Sequence, residues 1–83
     1  MSYGMSALNR KLFSVLSHHD GKGNLAWQAS ELQCDNIFDL VEKYRQAGQK
    51  GFIVRDAQTP EQAIERVKNL NQTPATIETA YVL

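Results

Sequence analysis

The chain has one cysteine, two prolines and no apolar run near the roughly 20 residues that a membrane span needs. Each scarcity excludes something. With Cys34 alone no intramolecular disulfide can form, which rules out a disulfide-built secreted scaffold. Nine Lys and Arg balance nine Asp and Glu, so no net charge draws the chain as a whole to nucleic acid or to an anionic bilayer. Met1-Ser-Tyr-Gly-Met5 lacks the basic stretch and apolar core of a secretory leader, which points to the cytoplasm. There is no glycine-rich phosphate loop, no nucleophile paired with a base and no ligand spacing of the zinc type. The expectation is therefore a non-enzymatic protein with no cofactor and no metal.

What is present suits a folded chain. A hydrophobic content of 42% with 22% charged residues is ordinary for a globular domain and argues against disorder. Eighty-three residues make one small domain, with residues 1–4 as a loose amino-terminal tail. A chain of this length buries only roughly two-thirds of its unfolded surface, and such domains often gain stability from a partner or a second copy.

The clearest signal is Gly51–Leu70. The β-branched run Phe52-Ile53-Val54 reads as a strand ending at Asp56. Thr59-Pro60-Glu61-Gln62 then opens a helix: Thr59 caps the Gln62 amide, Gln62 reaches back to Thr59, and Pro60 has the φ that suits the first helical position. This helix is expected to bury Ala63, Ile64, Val67 and Leu70. After Asn71-Gln-Thr-Pro74 the chain turns strand-like from Thr76 to Leu83, with Ile77, Thr79, Tyr81 and Leu83 on one face.

Earlier in the chain, Met5, Leu8, Leu12, Val15 and Leu16 recur at three- and four-residue spacing, which predicts an amphipathic helix over Met5–His18. Gly21 and Gly23 mark a turn. Leu25–Gln33 fits both a strand, by the alternation of Leu25, Trp27 and Ala29, and a helix, by its Ala, Gln and Glu content; the strand is preferred. A further helix, Asn36–Ala47, is predicted to be capped by Asp35, to face inward through Ile37, Leu40, Val41 and Tyr44, and to stop at a left-handed Gly48.

The order is helix, strand or helix, helix, strand, helix, strand. The fold class is thus a small α/β domain with a carboxy-terminal βαβ-like unit. The alternative is α+β, with the last strand pairing antiparallel to Phe52–Asp56.

Several residue sets bear on function. Lys43, Arg45, Lys50 and Arg55 form a stretch without an intervening acid, readable as a solvated helix end or as phosphate contacts. The Thr59 helix start lies beyond the carboxyl end of a strand, where α/β sheets bind anions, with Arg55 and Lys50 nearby and His18 or His19 as further participants. Asp20, Asn24 and Glu31 hold EF-hand positions 1, 5 and 12, but Lys22 at position 3 opposes a cation. His18, His19 and Cys34 lack zinc spacing. With Leu25–Gln33 helical, the element order would match a winged helix, although its recognition helix would open Asp35-Asn-Ile-Phe-Asp39 with only Asn36 suited to reading a base. Finally, Trp27, Tyr81 and Leu83, with Tyr3, offer aromatic and apolar area of the kind interfaces use, and a last strand at a sheet edge would present unpaired backbone.

The preferred reading is a small cytoplasmic protein-binding module, an accessory, adaptor or inhibitor acting by surface occupancy and able to self-associate, with Trp27, Tyr81 and Leu83 as contacts. The alternatives are nucleic-acid binding through Lys43–Arg55 and an anion binder or enzyme at Thr59.

Overall fold

A computed structural model describes residues 11–83. The expected tail at residues 1–4, Tyr3, and the first turns of the expected opening helix lie outside the described residues. The described chain forms a four-stranded mixed sheet and two helices. The strands are β1 (Lys11–His19), β2 (Leu25–Leu32), β3 (Gly51–Ala57) and β4 (Ala80–Val82); the helices are α1 (Ile37–Gln46) and α2 (Pro60–Lys68). The sheet order is β2-β1-β3-β4, with β1 antiparallel to both its neighbours and β3 parallel to β4. The βαβ-like unit is therefore present with parallel pairing, and the antiparallel alternative for the last strand is not.

The main correction falls on Met5–His18. From Lys11 onward this segment is a strand, the second from one edge of the sheet. Phe13 and Val15 point to the face covered by α2 and Leu12 to the other, and both sides are packed. A strand buried on both faces reads as a dense apolar run rather than an alternation. Lys-Leu-Phe-Ser-Val-Leu therefore also satisfies helical spacing. With β1 extended, β1 and β2 make an antiparallel hairpin in unbroken register from Leu12↔Leu32 to His19↔Leu25. The strand reading of residues 25–33 is correct, and the winged-helix order does not occur. Asp20 closes the hairpin turn, its Oδ1 accepting from the amides of Lys22 (2.8 Å) and Asn24 (3.0 Å).

The helices start where short polar side chains meet their first amides. For α1 the cap is Asn36, not Asp35: Asn36 Oδ1 accepts from Phe38 N and Asp39 N, which a side chain one residue earlier does not reach. The expected inward face of Ile37, Leu40, Val41 and Tyr44 packs with Ile53, Ala80 and Val82, and Gly48 ends the helix at φ 73°. For α2, Thr59 Oγ1 accepts from Gln62 N as expected. Gln62, however, reaches the amide of Gln58 at 3.0 Å rather than that of Thr59. Ala63 and Val67 are buried against Phe13, Val15, Phe52 and Val54, but Leu70 lies past the helix end and is exposed.

The last strand is shorter than expected. Thr73 and Thr76 bond to each other's backbone and side chains, and these local bonds hold residues 73–76 in a turn instead of a ladder. Ile77 still enters the core, from outside the strand.

The tightest point is between β3 and β1. A Cβ at Gly51 would sit 2.3 Å from Val15 O and 2.7 Å from the Leu16 Cα, and Gly51 has φ 155°. Any side chain there would force two paired strands apart. Gly51→Ala is expected to lower stability by about 1–3 kcal/mol, the usual cost of overpacking. Gly21→Ala, with open space around its Cβ, should stay within about 0.5 kcal/mol of wild type. Urea midpoints of the two variants check this.

Candidate interaction surfaces

Trp27, Tyr81 and Leu83 are brought to one face of the sheet. The Trp27 and Tyr81 rings each lie 5.9 Å from the Phe52 ring, one edge-on and one tilted, so the three aromatics form a row across β2, β3 and β4. Leu83 packs against the same buried cluster. The Trp27 side of the row is half-buried, whereas Tyr81 is exposed. Much of this area thus completes the core beneath α2, and Tyr81 keeps a face for solvent.

The basic residues do not converge. Arg45 Nε donates to Ala80 O at 2.8 Å, and its guanidinium carbon sits 5.8 Å from the centre of the Tyr81 ring. Arg55 Nε donates to Leu83 O at 3.3 Å. Both guanidiniums therefore contact the carboxy-terminal strand segment. Lys50 instead lines a hollow near β1 and β2, with Leu16, Ser17 and Gln28. Lys43 is exposed in the last turn of α1.

At the start of α2 part of the anion-binding potential is taken from within. Pro60 has no amide hydrogen, Gln62 N is held by Thr59, and Gln58 N is held by Gln62. Glu61 adds a negative charge in the first turn. His18 and His19 lie at the far end of β1 from Leu12, whose partner Leu32 leads into Cys34, and consecutive strand residues face opposite sides. Cys34 Sγ donates to Asn36 O at 3.0 Å. No group of three His, Cys, Asp or Glu side chains suited to a metal ion occurs among the described residues. No described helix is long and apolar enough to cross a membrane.

The hollows of the surface are open and carry few reactive groups. One of about 550 Å³ lies beside the aromatic row, between Phe52, Tyr81 and Ile77 and the segment after α2, with Glu78 as its carboxylate. Another, of about 420 Å³, lies on the Trp27 side, where Leu25, Trp27, Ile64 and Lys68 meet Pro74.

Phe38 is the feature that sequence reasoning passed over. It sits in the first turn of α1 and is 72% exposed, the most open large apolar side chain among the described residues. The signal was available: with Ile37, Leu40, Val41 and Tyr44 facing inward, 100° per residue sets Phe38 beside the stripe, not in it. Asp39 follows it, Glu42 lies one turn on, and Asp35 precedes the cap, all exposed.

Fold and surfaces together describe, over residues 11–83, a small domain of mixed sheet with a helix on each face and with Phe38 and Tyr81 as exposed aromatics. Set against known protein families, characterised proteins and solved structures, the chain finds no match.

The Arg45 contacts tie α1 to the edge strand. Arg45→Ala is expected to cost about 1 kcal/mol through the lost charge-assisted bond and ring contact, and to speed amide exchange in β4. Arg45→Lys should recover only part of this, since an ammonium does not stack flat on the ring while donating from Nε. Denaturation midpoints with residue-resolved hydrogen exchange check it.

Proposed function

We propose that this chain is a small, non-enzymatic, cytoplasmic protein-binding module, an accessory, adaptor or inhibitor that acts by occupying a partner's surface. The observation that carries the reading is Phe38. A phenyl ring exposed on a capped and packed helix gains nothing from its own fold, and burying it in a partner would recover roughly 1.5–3 kcal/mol. The helix holds the ring in place before binding, which keeps the ordering cost of association low. Asp35, Asp39 and Glu42 surround it with negative charge. The complementary partner surface is an apolar pocket rimmed by Lys or Arg, and such pairing favours fast, salt-sensitive association.

Other features support a binding role over a catalytic one. The open hollows have sparse chemistry, and the Gln58 and Gln62 amides at the α2 start are engaged by the Gln62 and Thr59 side chains. Tyr81, exposed beside the hollow at Ile77, is a second contact of the kind expected from the sequence.

The test is quantitative recovery of proteins from source-cell lysate on the tagged full chain, with and without nuclease, for wild type, Phe38→Ala and Asp39→Asn. The expected result is a stoichiometric protein that survives nuclease, falls at least about tenfold with Phe38→Ala and weakens with Asp39→Asn. Phe38→Ala should leave the melting temperature unchanged, because the ring is exposed. Recovery indifferent to Phe38→Ala would overturn the reading, and recovery abolished by nuclease would transfer it to the basic residues Lys43 and Lys50.

A further inference from the structure

The two edges of the sheet are protected very unequally. β4 is three residues long, and the carbonyl of Ala80 is taken by Arg45. β2 is eight residues long, Leu25-Ala-Trp-Gln-Ala-Ser-Glu-Leu32, and pairs only with β1 among the described residues. Exposed edges are normally blunted by brevity, a bulge, proline or lysine. β2 has none of these. Its register with β1 is unbroken, and its one charge, Glu31, is already bridged to Lys11 at 3.2 Å.

The ladder fixes which groups are left over. Ser17 N donates to Lys50 O, towards β3, while Asp20 N donates to Asn24 O, across the hairpin. Odd-numbered residues of β1 thus bond towards β3 and even-numbered ones towards β2. Their partners Ala26, Gln28, Ser30 and Leu32 are satisfied, and the amides and carbonyls of Leu25, Trp27, Ala29 and Glu31 point outward.

We propose that a second copy of this chain pairs with this edge, β2 against β2, antiparallel about a two-fold axis through Gln28. Such pairing is independent of partner binding through Phe38, which lies on α1. In that register Leu25 opposes Glu31 of the second copy and Trp27 opposes its Ala29, so every outward amide and carbonyl from Leu25 to Glu31 meets a partner. The indole lies across from a small side chain. Centring the axis on Trp27 would set indole against indole, and centring it on Glu31 would set carboxylate against carboxylate. The Gln28 register alone uses the full edge without either conflict. It also brings Glu31 of the second copy opposite Leu25, beside the hollow that Leu25 shares with Lys68, where the charges are complementary. On the opposite face Ala26 meets Ser30 and Gln28 meets Gln28, all small or neutral. The product is a continuous sheet of twice four strands.

The test is sedimentation equilibrium of the full chain at micromolar to millimolar concentration, with hydrogen exchange at the edge. Wild type is expected at twice 9.4 kDa, with the amides of Trp27, Ala29 and Glu31 protected. Gln28→Lys sets two ammonium groups on the axis and should weaken the dimer by at least about tenfold. Mixing it with Gln28→Glu should restore association. Ala29→Pro removes an outward donor that β1 does not use, so it should give a folded monomer with a native circular-dichroism spectrum. Three results would overturn the proposal: a wild type that stays monomeric throughout, a dimer that tolerates both Gln28→Lys and Ala29→Pro, or a monomer whose Trp27 and Ala29 amides are protected, which would assign the edge to the chain's own residues. Phe38→Ala should leave the dimer intact, so loss of the partner and loss of the dimer are separable results.

Discussion

The close approach of β3 to β1 at Gly51 governs the rest of the molecule. β3 is paired on both sides and buried on both faces: Phe52 and Val54 enter the α2 side, Ile53 the α1 side. Its first residue lies so near the β1 backbone that no side chain fits. That contact sets the register of Phe52 against Val15 and of Ile53 against Ser14. The register in turn decides which side chains α1 and α2 find beneath them. A shift of one residue would exchange the two faces and leave both helices without a matching surface.

From β3 outward the protein is asymmetric. Towards β4, Arg45 of α1 bonds to the carbonyl of Ala80 in the strand and Arg55 of β3 to that of Leu83 just after it. Two of the four residues that read in the sequence as a cationic stretch, Arg45 and Arg55, thus hold the carboxy-terminal segment, and the aromatic pair Phe52 and Tyr81 gains a guanidinium neighbour. Towards β2 the tie among the described residues is a single exposed ion pair, Lys11 with Glu31. The strand is long, regular and nearly uncharged, and Trp27 contributes its ring to the row while its backbone faces outward. The polar character of one side and the plainness of the other come from the same neutral composition, distributed unevenly.

How much of this was legible depended on whether local chemistry or tertiary burial decided the outcome. The carboxy-terminal half was legible because its signals are local: Thr59 and Pro60 specify a helix start, Gly48 a helix stop, and Phe52-Ile53-Val54 a strand. The opening segment was not, because β1 lies inside a sheet covered on both faces, and only the whole fold tells such a run from a helix. The cap at Asn36 instead of Asp35 was a choice between adjacent short polar side chains, and the Gln62 bond to Gln58 a choice between adjacent amides. The short β4 came from Thr73 and Thr76 preferring each other to a neighbouring strand. Of the site residues, the grouping of Trp27, Tyr81 and Leu83 on one face was foreseen only as a list of apolar side chains. The sequence gives no way to see that Phe52 joins two of them. Phe38 was visible in the helical pattern and needed only the question of which apolar residue the inward stripe leaves out.

The end of β3 carries one more consequence. Between Phe13 and Lys11 the β1 strand advances two residues while β3 advances three, from Val54 to Ala57, with Asp56 at φ 64°. The extra residue makes Arg55 and Asp56 both exposed and returns Ala57 to the face that Val54 occupies. Arg66 of α2 donates to the carbonyls of both Arg55 and Asp56, holding the bulge from above. The strand therefore carries a change of phase, and α2 is docked to it after the change. In evolutionary terms this makes the segment unequal in what it can lose. Arg66 meets only backbone at positions 55 and 56, so a substitution there costs no more than the Arg55 bond to Leu83 or the tolerance of Asp56 for a positive φ, but deleting either residue would rotate Ala57 out of the core and take the start of α2 with it.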